Sequence, residues 1–290
     1  MRLRSVSAWV VLAVVTAAAG CKTDAVKGMN VGGLDLGQLA DNLGGLREIS
    51  QPEEIQMGKA VTETLLGAAP PVDDPELQRY VNTVGRWVAL QSERPDLPWH
   101  FAVTASEAVN AAATPGGNIV VTMGMLRVLT DESQLAGVLG HETAHVVRKH
   151  HLNAIRKGSL VGLLAQGAQA ASQGSRSQEL VEALVGPTKD LYLRGLDKSD
   201  EFEADRMGVV LATRAGYDPW GLPGAVQTLS AMKPDASAVA LLFKTHPAPP
   251  ARLDKLALAM GTSFDRIAGA QHAERYRRAT QRVLAGRQVQ

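Results

Sequence analysis

The sequence predicts an α+β fold that is predominantly helical and carries one small sheet. Apolar residues recur at helical intervals through long segments beginning near Gln51, Pro75, Asp131 and Ser199. By contrast, only two short runs, Trp99–Ala105 and Asn118–Met123, have the alternation or β-prone composition of strands. No repeat occurs at a solenoid period, so these elements belong to one core. With 290 residues, 45% hydrophobic and 20% charged, the chain can bury a sizeable interior.

The elements follow in order. Arg2 and Arg4 precede an uncharged apolar run, Ala8–Ala19, that ends in small residues before Cys21. This is a secretory signal layout, short for a bilayer span and excluded from the folded domain. Ala18, Ala19, Gly20 and Cys21 resemble a bacterial lipobox, although its first position is more often leucine. Cys21 is the only cysteine, and lipidation is its simplest use; a plain signal peptide that leaves an incidental cysteine is the other reading. Lys22 stands where an aspartate is absent, which by analogy with lipoprotein sorting favours the outer membrane. From Lys22 to about Leu46, Gly32, Gly33, Gly44 and Gly45 interrupt any period, as in a flexible tether.

Ile55, Val61 and Leu65 predict a helix over Gln51–Leu66, and a second runs from Pro75 through Trp87 to Leu90. The turn Pro115, Gly116, Gly117 introduces the strand at Asn118. Thr130 and Asp131 start the next helix, with Glu132 in its first turn and Gln134 at capping-box spacing from Asp131. That helix runs through His141–His145, and Arg148 is expected to prolong it. Leu160–Ala171 is apolar but interrupted by Gln166 and Gln169, so it reads as a buried or covering helix, broken by Ser172–Ser177. A helix over Ser199–Ala215 stops before Gly216, where Tyr217, Asp218 and Pro219 turn the chain, and the remainder is mainly helical.

Charge excludes one class of partner. Thirty basic residues against 29 acidic ones leave a net charge of +1, so no global field recruits nucleic acid.

His141, Glu142, Thr143, Ala144 and His145 form an HExxH pattern. Residues four apart share one helical face, so both imidazoles can reach one Zn²⁺ while Glu142 sits beside it as a base. A catalytic zinc needs a third protein ligand and an open position. A thermolysin-like glutamate about twenty residues on is ruled out, because no acidic residue occurs between His145 and Glu179. His151 occupies the register of a metzincin's third histidine, but Arg148 stands where the helix would need a glycine to break. On a continued helix His151 lies about 15 Å along the axis from His141, so His150 and His151 read as helix-end residues. In Asp200–Asp205, Glu201 and Asp205 share a face. Glu201 could ligate and Asp205 could support a ligand histidine; spacing alone leaves a solvated acidic face as the other reading.

Leu139–His145, the ExEAD of Glu201–Asp205 with Arg206 and Gly208 behind it, and His246, Pro247 and Arg252 resemble, in that order, the HtpX-type gluzincin metallopeptidases of metallopeptidase family 48. Asn110 and the Pro115–Gly117 turn add to the match, which covers roughly Gln51–Leu258. The resemblance implies one Zn²⁺ per chain held by His141, His145 and Glu201, with Glu142 as catalytic base and Asp205 in support. His246 is the family-like candidate for an oxyanion donor or for a gate on the metal, with a simple turn histidine as the remaining reading, and Arg252 is expected to pair with a nearby carboxylate. Asp197 and Lys198 depart from the Ser and Arg of many members.

The expected organisation is a signal peptide at 1–20, a tether at 21–50, a metallopeptidase domain at 51–265 and a C-terminal helical tail at 266–290. Asn118, Ile119, Val120 and Val121 are expected to form the edge strand on which an extended substrate adds. These features together predict a lipid-anchored endopeptidase on the periplasmic side of the outer membrane. Its substrates would be unfolded or misassembled envelope proteins, with outer-membrane assembly machinery as a possible partner. A chaperone or assembly factor with gated proteolysis is the competing function. A prenyl-protein protease is disfavoured, because no membrane span is predicted after the signal.

Overall fold

The computed structural model describes residues 30–31, 34–35, 49–155, 195–233 and 236–285. The signal segment, Cys21, most of the tether and the 160–177 stretch lie outside them. The chain divides into two units, 1–49 with 156–174 and 50–155 with 175–290. In the first, β1 (Asn30–Val31) pairs antiparallel with β2 (Leu34–Asp35). All elements below belong to the second.

Local chemistry starts the first helices. At α1 (Gln51–Ala68) the Glu53 carboxylate accepts from the Ser50 N–H at 3.0 Å and its hydroxyl at 2.7 Å. At α2 (Pro75–Ala89) Asp74 accepts from the N–H groups of Glu76 and Leu77, and Pro75 takes the first helical position, where its missing N–H costs nothing. Leu77, Val81, Val84 and Val88 form the buried stripe of α2.

The sheet corrects one expectation. Its order is β3 (His100–Thr104), β5 (Asn118–Thr122), β4 (Ala111–Thr114), with β5 parallel to β3 and antiparallel to β4. Asn118, Ile119, Val120 and Val121 are therefore in the central strand, hydrogen-bonded on both sides, and cannot be an edge. Their apolar run is what a two-sided strand buries. The edge next to the HExxH helix is β4. Gly116 (φ 78°) and Gly117 (φ 103°) make the turn between β4 and β5, and α3 (Met123–Val128) leaves β5 under the Thr122 cap.

Every residue of α4 (Glu132–Val147) is buried. Asp131 caps it by accepting from the Gln134 N–H at 3.0 Å, while the Gln134 side chain reaches back to the N–H of Thr130 rather than to that of Asp131. The C-terminal end corrects a second expectation. Arg148 caps α4 instead of prolonging it, Lys149 adopts φ 57°, and helix resumes at 150–155. A left-handed residue just past the last turn is the usual way a helix ends, though glycine or asparagine is the usual occupant.

α5 (Lys198–Arg214), α6 (Gly221–Ser230), α7 (Ala240–Thr245), α8 (Pro249–Met260) and α9 (Ala273–Ala285) complete the unit. α4 packs against α5, α6, α2 and β4. The first turn of α4 is tied to three other parts of the unit through Glu132, which accepts from the Tyr80 hydroxyl at 2.9 Å, the Tyr217 hydroxyl at 2.8 Å and the Arg275 guanidinium of α9. Among the described residues no helix is long and apolar enough to cross a membrane.

Candidate metal centre

Two helices meet to form the site, and glycine sets their distance. A Cβ at Gly140 would fall 2.9 Å from the Gly208 carbonyl oxygen, and one at Gly208 would fall 2.8 Å from the His141 backbone nitrogen. Only glycine at both positions lets α4 and α5 approach this closely, which offsets the roughly 1 kcal/mol each costs in a helix interior.

That approach brings the ligand-type side chains together. The Nε2 atoms of His141 and His145 face each other at 3.0 Å. Glu201 presents Oε2 at 3.6 Å from the first and Oε1 at 3.6 Å from the second. All three residues are buried. Their ligand atoms lie within 4.8 Å of one another, so the three could hold a metal ion. The donor set fits such an ion: Glu201 Oε2 is a buried carboxylate oxygen with no hydrogen-bond partner, a costly arrangement unless something else satisfies it. Two imidazoles and a carboxylate are also the donors that zinc takes.

The outer nitrogens of both histidines are engaged. Asp205 Oδ1 stands 2.9 Å from His141 Nδ1, and Arg252 holds that carboxylate through Nε at 2.9 Å and Nη2 at 2.6 Å. Burial alone would raise the Asp205 carboxyl, but the Arg252 charge and the hydrogen bonds from His141 and Arg252 outweigh it and hold the group well below the carboxylate range. His145 Nδ1 lies 3.0 Å from His150 Nδ1. Burial pushes Glu201 up to about 7, against the lowering charges of His141 and Arg252.

Glu142, also buried, sits beside the three. Burial raises its carboxyl, opposed by the charges of His141 and Arg252 and by a hydrogen bond from the Ala113 backbone on β4. His246 caps the C-terminal end of α7, its Nε2 3.7 Å from Glu201 Oε2 and its ring 5.6 Å from that of His141. With His141 and Glu142 it makes a second group of donors at ligand spacing. An apolar recess adjoins Glu142, lined by Met125, Val138, Leu222, Val226 and Leu242.

The structure thus gathers His141, Glu142, His145, Glu201, Asp205, His246 and Arg252, and leaves Asn118–Val121 in the sheet's centre. Residues unforeseen from the sequence are Ala111 and Ala113 of the true edge, the recess, and His150. His151 stays close to the site because α4 breaks, with its ring 5.4 Å from that of His145, but it joins no donor group at ligand spacing among the described residues.

The profile of Peptidase family M48 matches residues 75–259, which contain all of these groups. The chain belongs to peptidase family M48. It is 31% identical over 212 residues to the Beta-barrel assembly-enhancing protease of Escherichia coli (strain K12), a match covering 71% of this chain and 43% of that protein. It is 31% identical over 189 residues to the Mitochondrial metalloendopeptidase OMA1 of Arabidopsis thaliana, covering 65% and 37%. It is also 32% identical over 163 residues to Metalloprotease YcaL of Escherichia coli (strain K12), covering 55% and 61%. The matched stretch thus spans less than half of the assembly-enhancing protease.

Proposed function

We propose that this chain is a zinc-dependent endopeptidase of the bacterial cell envelope. It is anchored through Cys21 on the periplasmic side of the outer membrane and acts on unfolded or misassembled envelope proteins. The observation that carries the peptidase reading is the meeting of two imidazole nitrogens, 3.0 Å apart, with a buried carboxylate whose two oxygens each lie 3.6 Å from one of them and whose Oε2 has no hydrogen-bond partner. Zinc, when bound by His141, His145 and Glu201, supplies a Lewis acid that polarises a carbonyl and makes water more acidic.

The chain's residues do the rest. Glu142 accepts a proton from water at its carboxylate and delivers it to the leaving amine, and burial suits it to this by raising its affinity for the proton. The Ala113 N–H orients that carboxylate. Asp205 keeps a hydrogen on His141 Nδ1 and so leaves Nε2 a lone pair facing inward. His246 either donates to the oxyanion or occupies the ligand position in a resting state. The Thr245 hydroxyl, which can donate to the Leu241 carbonyl at 2.9 Å, can then accept from His246 Nδ1 at 3.0 Å, leaving Nε2 as a lone pair toward the site. This favours the gate. β4 pairs only with β5 among the described residues, and its outer side at Ala111 suits addition of an extended peptide through main-chain hydrogen bonds.

The envelope setting rests on the lipobox-like Cys21 and on the name of the Escherichia coli assembly-enhancing protease. The second reading, an assembly factor whose proteolysis is gated, is favoured by the position of His246. The test is zinc content and casein cleavage of the full chain beside Glu142→Gln and Glu201→Ala. Cleavage lost in both, with zinc kept in the first and weakened in the second, is expected. Zinc without wild-type cleavage would instead support the gated factor, and absence of zinc would sink the peptidase reading.

A further inference from the structure

We propose that His150 is a positioning residue for the metal centre, holding the outer nitrogen of His145 as Asp205 holds that of His141. The inference rests on the metallopeptidase reading and extends it to a residue outside the HExxH pattern.

Proton bookkeeping carries the argument. A neutral imidazole has one N–H and one lone pair. If His145 directs a lone pair inward from Nε2, toward His141 Nε2 at 3.0 Å and Glu201 Oε1 at 3.6 Å, its hydrogen is on Nδ1. Facing that hydrogen at 3.0 Å is His150 Nδ1, which must therefore be the acceptor. His150 then carries its own hydrogen on Nε2, and there the Glu203 carboxylate lies at 3.6 Å, itself held by Arg148 Nε at 3.0 Å. The His145–His150 contact couples the two tautomers, and the Glu203 carboxylate, with Arg148 behind it, favours the hydrogen on His150 Nε2 through its charge, at a distance too long for a hydrogen bond.

The backbone supports the same conclusion. A histidine following a helix end would ordinarily face solvent, yet His150 is 5% exposed. It is turned back onto α4 because Lys149 takes φ 57°, a conformation that costs a non-glycine residue about 1–2 kcal/mol and that persists only where its surroundings demand it. Partners of this kind raise ligand basicity and fix the ring, and their removal typically weakens metal binding about 10- to 100-fold.

The test compares wild type, His150→Leu and His150→Asn in the full chain, stripped of metal and titrated with zinc against a chromophoric chelator. The cobalt-loaded forms are read by their visible d–d bands. The Asn Oδ1 can stand near the place of the imidazole Nδ1 and accept the same hydrogen. His150→Leu is expected to bind zinc about 10- to 100-fold more weakly and to shift the cobalt bands, whereas His150→Asn stays within a few-fold of wild type and keeps them. Should the leucine variant fail to fold, as judged by melting of the metal-free forms, His150→Phe takes its place. Zinc binding as tight as wild type in the leucine or phenylalanine variant overturns the proposal, as does an asparagine variant that loses as much as leucine. Failure of the wild type itself to bind zinc is a different result, since it removes the metal centre altogether.

Discussion

Replacing Arg252 with leucine severs the buried ion pair that orients His141. Arg252 is 5% exposed and Asp205 1%, and two hydrogen bonds of 2.9 and 2.6 Å join them. Removing one partner of such a pair leaves an uncompensated buried charge and costs about 3–5 kcal/mol. In a domain of this size about 1 kcal/mol moves the melting temperature by roughly 2–4 °C, so the variant should melt roughly 6–20 °C below wild type. Replacing both residues by leucine should recover most of that loss, because apolar substitution of a whole buried pair is often neutral. The double variant nevertheless leaves His141 Nδ1 without an acceptor, and its zinc affinity should fall about 10- to 100-fold. Melting of the metal-free full chain by circular dichroism and zinc competition separate the two effects. A single variant that melts with wild type, or a double variant that melts no higher than the single, would refute the claim that this carboxylate is held by charge in a dry interior.

Three other outcomes are expected. Gly208→Ala pushes a Cβ to 2.8 Å from the His141 backbone, so it should cost about 1–3 kcal/mol in urea unfolding and weaken zinc binding; Gly67→Ala, whose Cβ meets nothing within 4 Å, should be neutral or stabilising. Burial would raise the Glu132 carboxyl, but the hydrogen bonds from Arg275, Tyr217 and Tyr80 overcome this and leave its folded pKa below the ordinary value. Its contribution to stability is therefore complete above the ordinary glutamate value of about 4.3 and is lost as pH falls through the folded value. Urea unfolding from neutral to acidic pH should show a shallower acid limb in Glu132→Gln, and an unchanged limb would count against the assignment. Casein fragments should show an apolar residue next to the cleaved bond, to occupy the recess of Met125, Val138 and Leu222; a profile indifferent to side chain would mean that this recess selects nothing.

What could be read from the sequence was local. Asp131, Pro75 and the apolar periods mark helix starts because capping and burial act over a few residues, and HExxH and ExEAD place their groups on faces fixed by helical spacing. Strand order is not local. Ala111–Thr114 is an alanine-rich run, depleted in the β-branched and aromatic residues that mark strands, and it becomes a strand because β5 offers it a ladder. Once β4 takes that side, Asn118–Val121 cannot be an edge. Nothing in Arg148–Lys149 marks a helix break either, since lysine rarely adopts positive φ, and the carboxylate that Arg148 and His150 face at this break, Glu203, is far away in sequence. A histidine five residues beyond His145 was the available clue, but without the break it points away from the site.

The contact between Gly140 and Gly208 has a consequence for how this scaffold tolerates change. Where helices rest on one another through side chains, a repacked core shifts their separation and any groups they carry. Here main chain bears on main chain, so the separation of the two histidines from Glu201 is gauged by a surface with no rotamers to exchange. Substitutions elsewhere in the interior can accumulate with little effect on the donor triangle, while a single methyl group at either glycine alters it directly.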